Sequence, residues 1–407
     1  MPWKTVGNAR TLEEVLTAIR VIQATREQVI RIMIIEPFNP WRSKYKNGHF
    51  ELEEWDRIGR NPATVYVQNI TREHVYTTSN DASDDRLLAL EKLLARSPFW
   101  DVVNSRCKNK NDDSIVIKTN LAPASQKIYH YYTDPGLVDH VVELLNARGF
   151  SNVKIVEAQT NAILAYPELK PDFMAKKLGF THPVHDLSDD PNLVTIMYNE
   201  GTVALSPTML DAKMIINMAK GKNHDLMNFT ASLKNMYGSI PDKNKYQLYH
   251  HKNAKLTIEE ATWVVNHSTP PDFIIVDMVD SVDGDEVSYF KKELDHFHHY
   301  MSNLLFAGEY APTIDMAICK KMGYKIAECP ILQKEVTLSS LNCEINNYMI
   351  DGGTLDPFPG WQRISPLTNF KAKLQDKIPV NDTLIAKGIR MYKFPIIHGN
   401  TVTFKLD

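Results

Sequence analysis

The sequence predicts an α/β fold: a mostly parallel sheet with helices on both faces, extended by N-terminal and C-terminal additions. Three observations predict it. From Ser114 onward, short apolar runs alternate with stretches of helical periodicity. Proline opens and glycine closes several of those stretches, as at Pro135 and Gly149. A charged or amide residue follows most of the apolar runs. Strands alternating with helices imply crossover units, which lay strands parallel and place helices against the sheet. At 407 residues the chain is also too long for one small core.

Residues 1–110 read as an α+β extension. Thr11 and Glu14 form a capping box for a helix over 9–31, whose apolar face is Leu12, Val15, Leu16, Ile19 and Ile22. Met33–Ile35 is a short strand stopped by Pro37, and Val65–Val67 with Val75–Thr77 suggests a hairpin. A helix over Ser83–Arg96 carries Leu87, Leu90 and Leu94 on one side. The α/β core spans 111–330. Its strands are Ile115–Ile117, Val153–Val156, Leu193–Met197, Lys213–Met218, Phe273–Val276 and Leu304–Ala307. Between them lie helices at Pro135, over Pro171–Gly179, near Met227–Met236, over Thr257–His267 and over Pro312–Met322. Residues 331–407 carry Pro357, Pro359, Pro366 and Pro379, which suggest an irregular extension with a late strand at Thr401–Phe404.

Composition excludes several function classes. The net charge is −3, so no basic field speaks for nucleic acid and no polybasic run for a membrane surface. Apolar runs such as Phe273–Val276 fall far below the ~20 residues of a membrane span. The first twenty residues lack the pattern of a secretory signal. Four cysteines without a C-x-x-C pair suggest free thiols in a cytoplasmic setting, and argue against an iron–sulfur cluster. Dinucleotide, P-loop, G-x-S-x-G and H-E-x-x-H signatures are absent.

The polar residues gather at strand ends: Lys118 and Asn120, Glu157, Lys220 to His224, and Asp277. In an open α/β sheet the carboxyl ends of several strands build one cleft, so these residues are expected to share it. Lys118, Lys222, Asn120 and Asn235 are the expected binding groups for a small anionic substrate, a carboxylate or a phosphate. His224, Lys220 and Lys234 are the expected acid–base groups. Glu157, Asp277 and Asp315 would hold the lysines or bind a divalent metal. Asp134 is either a helix cap or a member of the site. This set suits an isomerase, lyase or cyclase moving protons on a small metabolite. Two other readings remain open. One is a metal- or cofactor-dependent redox enzyme using His296, His298 and the acidic loop 277–285. The other is a non-catalytic anion-binding scaffold.

The order of these segments resembles the family called domain of unknown function 362, over about 113–325. Its I-K-P-N-L segment corresponds to Ile117-Lys118-Thr119-Asn120-Leu121, and its T-D-P helix start to Thr133-Asp134-Pro135. Its V-P-K-x-K-T-H segment corresponds to Met218–His224, L-K-N-x-x-G to Leu233–Gly238, and I-V-D to Ile275-Val276-Asp277. The A-G-x-D-P-V-A-x-D pattern falls on Ala307–Asp315, where Tyr310 and Ala311 replace Asp-Pro while Asp315 is kept. The resemblance implies the α/β fold and little chemistry. The ferredoxin-like module of many relatives has no counterpart here, so electron transfer is not implied. A looser likeness of topology to the N-terminal half of lactate racemases is an analogy of fold.

Overall fold

The computed structural model describes residues 41–46, 49–54, 63–71, 85–121, 131–160, 170–242, 245–250, 254–285, 299–338, 348–376, 396–398 and 401–403. The strands are β1 (Trp41–Lys46), β2 (His49–Glu54), β3 (Ala63–Asn69), β4 (Ile115–Lys118), β5 (Val153–Glu157) and β6 (Val184–Asp186). They continue with β7 (Val194–Tyr198), β8 (Gly201–Leu205), β9 (Met214–Lys220), β10 (Lys222–His224), β11 (Asn228–Thr230) and β12 (Phe273–Met278). Then follow β13 (Ser281–Val282), β14 (His299–Tyr300), β15 (Leu304–Gly308), β16 (Tyr348–Asp351), β17 (Ile396–His398) and β18 (Thr401–Thr403). The helices used below are α1 (Asp85–Arg96), α2 (Phe99–Arg106), α3 (Pro135–Ala147), α4 (Pro171–Leu178) and α5 (Ser232–Tyr237). The remainder are α6 (Lys245–Tyr249), α7 (Ile258–Ser268), α8 (Ala311–Lys321), α9 (Pro330–Leu338) and α10 (Pro366–Asp376).

An eight-stranded sheet in the order β16-β3-β15-β12-β9-β4-β5-β6 organises the protein. All its pairings are parallel except those of β15 with β12 and β3. Successive side chains of a strand face opposite sides, and the apolar runs feed two separate cores accordingly. Ile115, Ile117, Ile155, Ile216, Met218 and Ile275 pack on α1–α4. Val116, Val156, Ile215, Ala219, Ile274 and Val276 pack on α5, α7, α8, α9 and the β7–β8 hairpin. Burial on both faces explains why these strands read as continuous apolar runs. Pro135 stands at the first position of α3 with Asp134 as its cap, and Thr257 with Glu260 forms a capping box on α7.

Several expectations are corrected. The strand near Leu193–Met197 lies outside the large sheet and pairs with β8 as an antiparallel hairpin. Strand β15 enters the sheet antiparallel, a direction that apolar content does not encode. Val65–Val67 is in a strand, but its partners are β15 and β16. Strands from both terminal additions therefore join the sheet. The Met227–Met236 segment begins as β11, paired with β10, and turns helical only at Ser232. The irregular C-terminal stretch contains helix α10. The expected helix over 9–31, the strand at Met33–Ile35, the arm at Val75–Thr77 and the residues His296 and His298 lie outside the described residues. Among the described residues no helix is long and apolar enough to cross a membrane.

Candidate functional site

The chain leaves β4 outward through β5 to β6, then returns to place β9 on the other side of β4. That reversal makes the carboxyl ends of β4 and β9 a topological switch point, where open α/β sheets form ligand crevices. Lys118 ends β4 and Lys220 ends β9, with Glu157 ending β5 and Asp277 near the end of β12. Lys118 stands opposite Asn217, three residues before Lys220, so the two lysines are offset by roughly 10 Å along the strands.

Both lysines are buried in ion pairs. Lys118 Nζ lies 2.7 Å from Glu157 Oε1 and donates to the Thr119 carbonyl at 2.6 Å. Glu157 also accepts the amides of Leu121 and Ala158, each at 3.0 Å. Burial lowers the pKa of Lys118, and Glu157 opposes that shift. Gly238 sits against this pair: a Cβ there would stand 2.8 Å from Lys118 Nζ and 3.0 Å from Glu157 Oε1. Lys220 Nζ lies 2.8 Å from Asp277 Oδ2, and strand register places the two residues side by side. Gly221 lets the chain pass Met278, whose Cγ would be 2.5 Å from a Cβ at that position.

The T-D-P segment fastens these strand ends together. Thr133 Oγ1 accepts from the Asn120 amide at 3.1 Å and donates to the Met218 carbonyl at 2.9 Å. The Asp134 amide donates to Asp277 Oδ2 at 2.9 Å. Its carboxylate caps α3 through Gly136 and Leu137 and pairs with Arg86. Asp134 is therefore both a cap and a second neighbour of the Lys220–Asp277 pair.

The asparagines form a chain across the switch point. Asn120 Nδ2 donates to Asn235 Oδ1 at 3.0 Å, and Asn235 Nδ2 donates to Asn217 Oδ1 at 2.7 Å and to the Lys118 carbonyl at 3.3 Å. Asn235, expected as a donor to substrate, thus has both amide hydrogens engaged within the protein. The side-chain oxygens of Thr119 and Asn120 are buried without a hydrogen-bond partner among the described residues.

A cationic rim lies beyond the two pairs. Buried Lys222 donates to the Tyr131 carbonyl at 2.9 Å and stands 4.2 Å from the centroid of its ring. Half-buried His224 accepts the amides of Leu226 and Met227 on Nδ1, at 3.2 and 3.4 Å. Its neutral ring therefore carries the proton on Nε2. Burial first, then Lys234, Lys222 and His250, hold its pKa well below the ordinary value. Lys234 Nζ lies 5.6 Å from the Tyr237 ring centroid, and the His250 and Tyr237 rings are 6.1 Å apart. Lys245 Nζ lies 5.9 Å from the same ring. Sequence reasoning missed Lys245, which stands in no motif and at no strand end.

Asp315 takes a different role from that expected. It accepts the amides of Ser232 and Leu233 at 2.8 and 3.1 Å, together with the Ser232 hydroxyl, and so caps α5 from behind. Burial raises its pKa to about 7 against a reference of 3.8. Between those values the folded protein holds a proton that the unfolded chain has released, so stability falls as pH rises from about 4 to 7. Asp315→Asn cannot titrate, and the variant is expected to show a flatter urea-midpoint profile over that range. An unchanged slope would remove Asp315 from the explanation.

Among the described residues no group of three or more His, Cys, Asp or Glu side chains is arranged to hold a metal ion. No curated protein matches the sequence. In structure the chain is similar to the lactate racemase apoprotein from Thermoanaerobacterium thermosaccharolyticum, at 12% identity and a TM-score of 0.39. The match covers 69% of this chain and 62% of that one, so the chain spans less than two thirds of that protein's length. The sequence profile described as Domain of unknown function (DUF362) matches residues 115–320, just over half the chain and the whole of the switch point described above. The chain belongs to the DUF362 family.

Proposed function

We propose that the protein is an enzyme that binds a small anionic metabolite, a carboxylate or a phosphate, and moves a proton on it by isomerisation, elimination or cyclisation. The observation that carries this reading is the placing of His224, whose Nδ1 is taken by the amides of Leu226 and Met227. Burial and the nearby Lys234, Lys222 and His250 hold its pKa well below the ordinary value. An anion placed among these groups is attracted by each of them, and Nε2–H is the donor His224 has to offer. The two ion pairs beneath are matched in charge and serve to hold the strand ends rigid. A cytoplasmic setting belongs to the same proposal, since the described cysteines Cys107, Cys319 and Cys329 are free thiols.

Calorimetric titration with a panel of mono- and dicarboxylates and phosphomonoesters tests the binding step. Lys222→Met and Lys234→Ala are expected to weaken the best anion by about tenfold each, on the order of 1.4 kcal/mol. Binding should also take up protons, because an anion beside His224 raises its depressed pKa. Repeating the titration in buffers of different ionisation enthalpy measures that uptake. Absence of any anion binding at millimolar concentration would sink the proposal. Binding without exchange of ligand C–H for solvent deuterium would leave an anion-binding protein and remove the enzyme.

A further inference from the structure

Lys245 differs from Lys118 and Lys220, the two lysines that end strands at the switch point. It is 4% exposed, yet no carboxylate lies within ion-pair distance of it among the described residues, whereas Lys118 and Lys220 each have one. Its Nζ donates to the Gly238 carbonyl at 3.1 Å and faces the Tyr237 ring. The acids that act on it from a distance are engaged elsewhere. Glu157 is bound to Lys118 and two amides, and Asp186 accepts from Gln159 Nε2 and the Ser188 amide. Asp242 is the third acid acting on it, and Lys118 is the neighbouring cation. A buried ammonium without a counter-ion is costly, and a lysine in that position sheds its proton. Burial lowers its pKa to about 7, with Lys118 adding to the shift and Glu157, Asp186 and Asp242 opposing it.

One aromatic ring links this amine to Lys234 and His250. Tyr237 carries Lys245 at 5.9 Å and Lys234 at 5.6 Å from its ring centroid, with the His250 ring 6.1 Å away. Gly238, whose carbonyl receives Lys245, is the residue against which Lys118 and Glu157 are packed. An amine, a cationic rim and a carboxylate–ammonium pair thus surround two consecutive residues. We propose that Lys245 is the reactive amine of this site and condenses with the carbonyl carbon of a small oxo acid whose carboxylate is held by the cationic rim. The proposal rests on the anion-binding reading above and narrows its substrate class.

The step balances without an oxidant. The Nζ lone pair forms a C–N bond while the carbonyl π electrons move to oxygen, which takes a proton. The resulting carbinolamine loses that oxygen as water as nitrogen gives up its remaining protons, leaving an imine. Of the two protons nitrogen loses, one leaves in the water and the other replaces the one taken up by oxygen, and the imine in turn acidifies the neighbouring C–H, the proton transfer proposed above.

Full-length protein is incubated with glyoxylate, pyruvate or 2-oxoglutarate and sodium cyanoborohydride, and the adduct is located by peptide mapping. At pH 7 an amine with a pKa of about 7 is unprotonated roughly a thousandfold more often than an ordinary lysine at 10.5. Labelling is therefore expected first at Lys245, with a pH midpoint near 7. Lys245→Met and Lys245→Arg should both lose it, the second while keeping the cation. Labelling spread over surface lysines, or a Lys245 midpoint in the ordinary lysine range, overturns the proposal, and mapping wild-type protein decides this even where a variant fails to fold. Lactate and propionate, which have no reactive carbonyl, separate the two readings by calorimetry. If they bind and no oxo acid labels Lys245, the amine proposal falls and the anion site stands. If Lys245 is labelled while no anion binds, the amine proposal stands and the rim loses its role.

Discussion

Replacing Lys118 with methionine is expected to destabilise the protein by about 3–5 kcal/mol, the range for removing one partner of a buried ion pair. Lys118 is fully buried and its partner Glu157 nearly so. Methionine fills a similar volume, so the expected loss comes from charge rather than from a cavity. Glu157 keeps the amides of Leu121 and Ala158, but these dipoles do not neutralise a carboxylate away from water. Adding Glu157→Gln removes the stranded charge, and the double variant is expected to recover much of the loss. Urea unfolding of the four proteins in this cycle measures the coupling directly. If the single and double variants are equally destabilised, the pair is not the source of the effect. Lys118 would then matter through its bond to the Thr119 carbonyl. The cycle also tests the switch point as a unit, because Gly238 is packed against both charged ends.

The parts of this arrangement legible in the sequence are those whose cause is local. The strands at Ile115, Val153, Met214 and Phe273 are buried on both faces, so they appear as unbroken apolar runs with a polar residue where each meets the crevice. The start of α3 was legible because Pro135 and the Asp134 cap act within one turn. What escaped depends on partners distant in the chain. The β10–β11 hairpin is made of Lys222-Asn223-His224 against Asn228-Phe229-Thr230, strands too short and polar to show a period. Asn223 holds it by donating to the carbonyls of Gly284 and Gln362, which no local pattern announces. Lys245 drew no notice because its side-chain contact, the Gly238 carbonyl, follows no local pattern in the sequence. Asp315 was read as holding the lysines or binding a divalent metal because its sequence neighbours gave no sign that it caps α5, over eighty positions earlier in the chain.

Asp277→Asn is expected to cost as much as the loss of Lys118, about 3–5 kcal/mol, for a reason of geometry as well as charge. Asp277 Oδ2 accepts both Lys220 Nζ and the Asp134 amide, and Oδ1 accepts the Val279 amide at 3.0 Å. All three partners are donors, and an asparagine has one oxygen to offer them. With that oxygen toward Lys220, the new NH2 meets the Val279 amide; turned the other way, it meets Lys220 and Asp134. Either orientation leaves a buried donor facing a donor, with Lys220 deprived of its counter-ion. Lys220→Met also strands a buried charge, but it sets no donor against a donor and leaves the Asp134 and Val279 amides bonded to Asp277. The expected order of destabilisation is therefore Asp277→Asn above Lys220→Met, read from urea midpoints at constant slope. Because Asp277 receives the Asp134 amide of the T-D-P corner, the asparagine variant should also loosen the start of α3. Hydrogen exchange at Gly136 and Leu137 should then quicken more in Asp277→Asn than in Lys220→Met. The reverse order in either measurement would mean that Lys220, rather than the carboxylate, holds the two strand ends and the helix together.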